Sequence, residues 1–263
     1  PSGRLVLGQE AAERLEGLWA PPEPWRGGRW RIGAILIDAG HGGRDPGTVS
    51  PHTVPGHAGR VMEKDIVLRA ARELAFLCRN RGLAPQVVLT REDDTFLSLE
   101  ERVELAHALQ LEEWEIILFV SIHANASLNR QARGFEIWHI PEDYDRDVLE
   151  PGSPVSETLR PLINSLRDYE YKVESERIAE LMRQEFARRT AGQTLDRGRR
   201  DEAWFVVRMA RMPAVLVELG FVTNEDEARL LTQEDYLKKL AEAMYDGIRR
   251  FGEELETGVG GSR

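Results

Sequence analysis

Four residues in this chain have types suited to hydrolytic chemistry, and each lies beside a short apolar run. His41 falls in Asp38-Ala39-Gly40-His41-Gly42-Gly43, directly after Ala34-Ile35-Leu36-Ile37. His123 falls in Ser121-Ile122-His123-Ala124-Asn125, closing the run that starts at Glu115. Glu63 opens Glu63-Lys64-Asp65 ahead of an amphipathic stretch, and Glu218 ends Ala214-Val215-Leu216-Val217. Two imidazoles and one carboxylate make a tripod for zinc with a fourth position left for water, while a second carboxylate is free to move protons. These residues are far apart in sequence, so spacing does not define the set. Taken singly, a strand-end His or Glu is more often an ordinary hydrogen-bonded group; agreement of all four favours a shared site.

The elements that must position them follow from apolar periodicity. Short apolar runs at 34–37, 86–89 and 115–122 alternate with helical patterns at Asp65–Arg81 and Leu97–Leu109. Further along, strands are expected at Gly134–Ile140, Trp204–Val207 and Ala214–Glu218, and helices at Val173–Thr190 and Gln233–Leu255. Apolar strands separated by helices predict an α/β fold, a twisted, mostly parallel sheet flanked by helices on both faces. In such sheets sites form at the carboxyl ends of the strands, where the four residues fall. A single catalytic domain is expected over 31–255. Residues 1–30 read as a linker segment, with a short helix at Gln9–Trp19 stopped by Ala20-Pro21-Pro22-Glu23-Pro24. Residues 256–263 read as a flexible tail.

With 41% hydrophobic and 30% charged residues among 263, the composition is that of a folded globular protein. A formal net charge of −10 argues against a nucleic-acid partner, which calls for clustered Lys and Arg. No apolar run reaches the roughly 18 residues of a membrane span. The opening at Pro1 reads as a processed or truncated chain, with no export signal expected within it. The single cysteine, Cys78, reads as a small core residue.

Five ordered runs carry a resemblance: Ile37 to Gly47, Glu63-Lys64-Asp65, Leu89-Thr90-Arg91, Val120 to Asn125 and Val217 to Asn224. Together they resemble the zinc-dependent N-acetylmuramoyl-L-alanine amidases of the AmiA/AmiB/AmiC and CwlV type, with a phosphorylase/hydrolase-like fold. The resemblance implies that His41, Glu63 and His123 bind Zn2+ and that Glu218 is the catalytic carboxylate. It implies cleavage of the amide between N-acetylmuramic acid and L-alanine in peptidoglycan, with Glu218 as base and then as acid toward the alanine nitrogen. Cell-wall remodelling and daughter-cell separation follow as roles, and periplasm or cell wall as location. Arg102 matches a family position and reads as a structural ion pair.

Two stretches depart from that pattern. The loop from Thr48 to Met62 is long and carries His52 and His57, which read as surface histidines, as do His107 and His139. Pro141 to Lys172 reads as an insertion with its own helix, capped at Ser153-Pro154 and burying Val155, Leu159, Leu162, Ile163, Leu166 and Tyr169 on one face. By resemblance, residues 142–170 would be an autoinhibitory segment displaced by an activator protein, with Glu150 or Glu157 competing for zinc; a permanently packed helix is the alternative. Arg197, Arg199 and Arg200 read as a solvated basic turn in preference to a binder of stem-peptide carboxylates. A zinc carboxypeptidase acting on the stem peptide and an inactive wall-binding module are the rival functions. A nucleotide-binding domain is disfavoured, since the glycine run lacks the spacing of a dinucleotide fingerprint and no Walker lysine is present.

Overall fold

The computed structural model describes residues 30–257, and six strands within them form one mixed sheet. In chain order the elements are β1 (Arg31–Ala39), α1 (Glu63–Asn80), β2 (Gln86–Leu89), α2 (Leu99–His107), β3 (Glu115–Asn125), β4 (Phe135–His139), α3 (Arg160–Arg189), β5 (Asp196–Asp201), α4 (Phe205–Met209), β6 (Ala214–Phe221), α5 (Glu225–Leu231) and α6 (Glu234–Thr257). The strand order is β2-β1-β3-β6-β4-β5, parallel throughout except where β4 runs against β6. The expected mostly parallel α/β sheet is therefore the fold observed.

Side chains alternate across the sheet because a strand repeats every two residues. Ile35, Ile37, Val120, Ile122, Val215 and Val217 enter a core with α1, α3 and α6. Leu36, Phe119 and Leu216 face the other way and pack with Val103 and Ala106 of α2 and Val206 and Val207 of α4. This second face also carries Asp38, Ser121, His123 and Glu218 by the same alternation. The site is thus built on the less thickly covered side of the sheet. Cys78 lies buried in α1, as expected, with burial pushing its thiol up to about 12.

Three expectations are corrected. Trp204–Val207 is not a strand: Trp204 caps the short helix α4, whose Val206 and Val207 are buried. The strand beside β4 is Asp196–Asp201, Asp-Arg-Gly-Arg-Arg-Asp, a sheet-edge segment with no fully buried residue and hence no apolar signature. Next, Ser153-Pro154 starts no helix. One continuous helix, α3, runs from Arg160 with Pro161 in its first turn to Arg189, since nothing between Leu162 and Arg189 breaks it. Leu162, Leu166 and Tyr169 are exposed on it, while Asp168, Lys172 and Ser175 are buried. Asp168 holds Arg146 at 2.6 Å and Lys172 at 2.9 Å, and Lys172 donates to the Glu142 carbonyl at 2.9 Å, so ions pin the preceding segment to the helix. Finally, α6 extends two residues past Leu255 into the expected tail. The expected Gln9–Trp19 helix and the residues after 257 lie outside the described residues.

Candidate metal centre

The site begins where β1 ends. Asp38 is fully buried and accepts hydrogen bonds from Thr90 Oγ1 at 2.7 Å, Ser121 Oγ at 2.7 Å and Arg102 Nη1 at 2.6 Å. Burial alone would raise its pKa; the Arg102 charge and the hydroxyl donors override that and hold the carboxyl low. Arg102 also donates to the Ala39 and His41 carbonyls, and Arg91 to those of Ala39, Gly40 and Lys64. Two guanidinium groups thus hold the turn that presents His41, whose φ of 59° is unusual for a residue with a side chain. Gly40 makes that turn possible beside the second histidine, since a Cβ there would sit 2.3 Å from His123 Cε1.

His41, Glu63 and His123 converge, with one ligand-type atom of each lying within 4.8 Å of the others. His41 Nε2 is 2.9 Å and His123 Nδ1 is 3.0 Å from the same oxygen, Glu63 Oε1. Glu63 comes from the first turn of α1 and is pinned there by the backbone N–H groups of Thr48 and Ala124. Burial would raise its pKa, but hydrogen bonds from the two imidazoles and their charge hold it far below the usual carboxylate range. His41 moves the opposite way: despite burial, Glu63 and Asp45 raise its pKa.

The donor set fits a divalent metal such as zinc. It offers two imidazole nitrogens and an ionised carboxylate, and Asp45 Oδ2 holds the far ring nitrogen of His41, Nδ1, at 2.8 Å. Such a carboxylate fixes the tautomer that points Nε2 inward. Asp45 is itself held through Oδ1 by the Gly47 N–H at 3.0 Å. Replacing Asp45 by Asn should weaken zinc affinity by about 10- to 100-fold with little change in fold. Competition with a fluorescent chelator measures this, and an unchanged affinity would remove the orienting role.

Glu218 stands beside this group without joining it. On β6 it pairs in register with His123 of β3 on one side and Glu136 of β4 on the other. Its Oε2 is buried and has no hydrogen-bond partner among the described residues. Burial, reinforced by the like charges of Glu63 and Glu136, raises its pKa well above the ordinary value. Glu136, by contrast, is fully engaged by Asn125, Arg197 and Arg200.

The other histidines take no part in the cluster. His107 Nε2 faces the Arg211 N–H, and His139 Nδ1 lies 3.0 Å from the Ile140 carbonyl. His52 and His57 lie in the loop before α1, and neither belongs to the metal-type group found among the described residues. Nor do Glu150 and Glu157; the charge of Glu150 acts on His107 instead. Sequence reasoning gave no role to Asp45, Arg91, Thr90 or Glu136. Asp45 and Arg91 lie within the motif runs, four residues after His41 and two after Leu89, and that adjacency is the signal that could have marked them.

Fold and site together define an α/β domain with a His-Glu-His metal-type cluster and, at the carboxyl edge of its sheet, a half-buried carboxylate whose inner oxygen has no hydrogen-bond partner among the described residues. Residues 35–250 match the family model described as N-acetylmuramoyl-L-alanine amidase, and the chain belongs to that family. It is 31% identical over 248 residues to the N-acetylmuramoyl-L-alanine amidase AmiC of Neisseria meningitidis serogroup B, covering 88% of this chain and 55% of that relative. The chain thus spans about half the length of that protein. Among solved structures it is similar to the catalytic domain of CwlV from Bacillus (Paenibacillus) polymyxa, with a TM-score of 0.62 and 30% identity over 84% of this chain and 98% of that one. It is also similar to the CwlD amidase from Clostridioides difficile in complex with the GerS lipoprotein, with a TM-score of 0.62 and 27% identity over 83% and 98% of the two chains.

Proposed function

We propose that residues 31–255 form the catalytic domain of a zinc-dependent hydrolase that cuts the amide between N-acetylmuramic acid and L-alanine in peptidoglycan. The observation that carries this reading is the His41–Glu63–His123 cluster beside Glu218, whose Oε2 has no hydrogen-bond partner among the described residues, in a chain of the amidase family. His41, Glu63 and His123 would hold the zinc, which when bound supplies a Lewis acid for the scissile carbonyl and makes water a better nucleophile near neutral pH. Glu218 takes a proton from the attacking water as its oxygen adds to the lactyl carbonyl. The C–N bond then breaks, and Glu218 returns the proton to the departing alanine nitrogen. The products are a carboxylate on the muramic acid and a stem peptide with a free amine. The raised pKa of Glu218, caused by burial and the like charges of Glu63 and Glu136, suits this double role because it makes the carboxylate a stronger base toward the water proton.

Peptidoglycan lies outside the cytoplasmic membrane, which places the work in the periplasm or cell wall, in wall remodelling and daughter-cell separation. None of the helices among the described residues is long and apolar enough to cross a membrane. Digestion of purified peptidoglycan, read by mass spectrometry, tests the activity. Intact stem peptides beginning at L-alanine should be released, and a chelator should abolish the release until zinc is restored. Release of a terminal amino acid instead would indicate a carboxypeptidase; no release, with or without zinc, would favour a wall-binding module.

We also propose that residues 142–170 regulate this site and that an activator protein docks on α3. Leu162, Leu166, Tyr169 and Val173 form an exposed row on that helix, and one structurally similar amidase was solved with a lipoprotein partner. Replacing 142–170 by a short loop should raise the basal rate on cell walls. An unchanged or lower rate, with fold and zinc binding intact, would leave the segment a purely structural role.

A further inference from the structure

Arg197, Arg199 and Arg200, expected as a solvated basic turn, instead lie on the edge strand β5 with ion-pair partners, and they divide between the two faces of the sheet. Arg199 pairs in register with Ile137 and turns toward α3, where Glu176 and Glu180 hold it at 2.6 and 3.0 Å. Arg197 and Arg200 turn the other way, toward the face that carries Glu218. Their Nε atoms lie 2.6 and 3.0 Å from the same oxygen, Glu136 Oε1, while Asn125 occupies Glu136 Oε2. Two cations thus share one anion, Glu136, the register neighbour of the candidate catalytic carboxylate. Each guanidinium is also set against an aromatic ring: Arg197 lies 5.1 Å from the Phe221 centroid, and Arg200 5.8 Å from that of Trp138, which in turn packs edge-on against Trp204. Among the described residues the Nη atoms of Arg197 and Arg200 have no hydrogen-bond acceptor, and both side chains are partly open to solvent. The arginines are therefore held from behind through Nε and ring faces, with their outer donors free for a planar anion.

We infer that Arg197 and Arg200 form a subsite for a stem-peptide carboxylate, the free α-carboxylate of the second residue, and so bias the enzyme toward walls in which that group is not amidated. This rests on the amidase reading above. Spacing supports it: β6, β4 and β5 are consecutive in the sheet. Two strand spacings separate the backbone of the arginine row from that of Glu218 by about 10 Å, and the guanidinium groups lean back onto Glu136, one strand from Glu218. A peptide running from the scissile carbonyl through L-alanine and a side-chain-linked glutamate covers a similar length, about 8–10 Å. A carboxylate there gains charge-assisted hydrogen bonds that its amide cannot match.

The test compares N-acetylmuramoyl-L-alanyl-D-glutamic acid with its α-amide. For the zinc-loaded wild type, kcat/KM for the acid should exceed that for the amide about tenfold, mainly through KM. The ratio should fall to about one in Arg200→Gln and recover in part in Arg200→Lys. Calorimetric binding of the two compounds to the Glu218→Gln protein, which holds them uncut, should give the same tenfold preference, again lost when Arg200→Gln is added. Equal affinity for acid and amide, or an acid preference that survives Arg200→Gln, would overturn the subsite. If the wild type cuts neither compound while the binding preference persists, the amidase reading fails and the subsite stands.

Discussion

Replacing Glu218 by Gln should lower the rate of stem-peptide release by about 10³-fold while leaving zinc affinity within a few-fold of wild type. Gln has nearly the same shape as Glu but neither takes a proton from water nor returns one to the alanine nitrogen, so the loss should fall on kcat. Glu218 is separate from the His41–Glu63–His123 cluster, and its Oε2 makes no hydrogen bond among the described residues that the substitution would break. Removing an acid whose Oε2 is buried near Glu63 and Glu136 also relieves like-charge repulsion, so the variant should melt at the same temperature or higher. Single-turnover release, zinc competition and thermal unfolding on one preparation check all three. Loss of zinc together with activity would mean that Glu218 is a ligand; activity within tenfold of wild type would remove it as the proton carrier.

Arg102→Ala should be the most destabilising change near the site, at about 3–5 kcal/mol. Arg102 and Asp38 are both almost fully buried, 2.6 Å apart, so the truncation strands an anion in the sheet interior. It also leaves the Ala39, His41 and Leu97 carbonyls short of a donor. Because two of those carbonyls belong to the turn that presents His41, zinc affinity should fall with stability. The pH dependence follows from Asp38, whose folded-state pKa is lowered: its ionic contribution is present above its unfolded pKa and lost as pH falls through the folded value. The difference in stability between wild type and Arg102→Ala should therefore narrow on acidification below about pH 4. Urea unfolding at neutral and acid pH measures it. A loss below about 1 kcal/mol at neutral pH would show that the Asp38 charge does not depend on Arg102 for its burial.

The outcome at α3 shows why apolar periodicity was a partial guide. Leu162, Leu166 and Tyr169 recur at helical spacing, yet the helix turns them outward and buries Asp168, Lys172 and Ser175, because Arg146 and the Glu142 carbonyl supply partners that local sequence does not reveal. At β5 the reverse holds: an all-polar run becomes a strand because β4 offers it an edge. Both misreadings arise where tertiary partners override local preference.

Sequence alone determined the parts whose physics is local. Continuous apolar runs made β1, β3 and β6 legible, and the residues ending those runs, with Glu63 at the head of α1, named the candidate site. Tertiary structure decided how they meet. A register that sets Glu218 beside His123 and Glu136, a buried Asp38 gathering Thr90, Arg102 and Ser121 from three separate segments, and a bulge in the β4–β5 pairing, beyond which Arg199 faces away from Arg197 and Arg200, all depend on pairings between segments distant along the chain. Such pairings are set by how strands align and how buried charges find partners, and no local window of residues contains both sides of them.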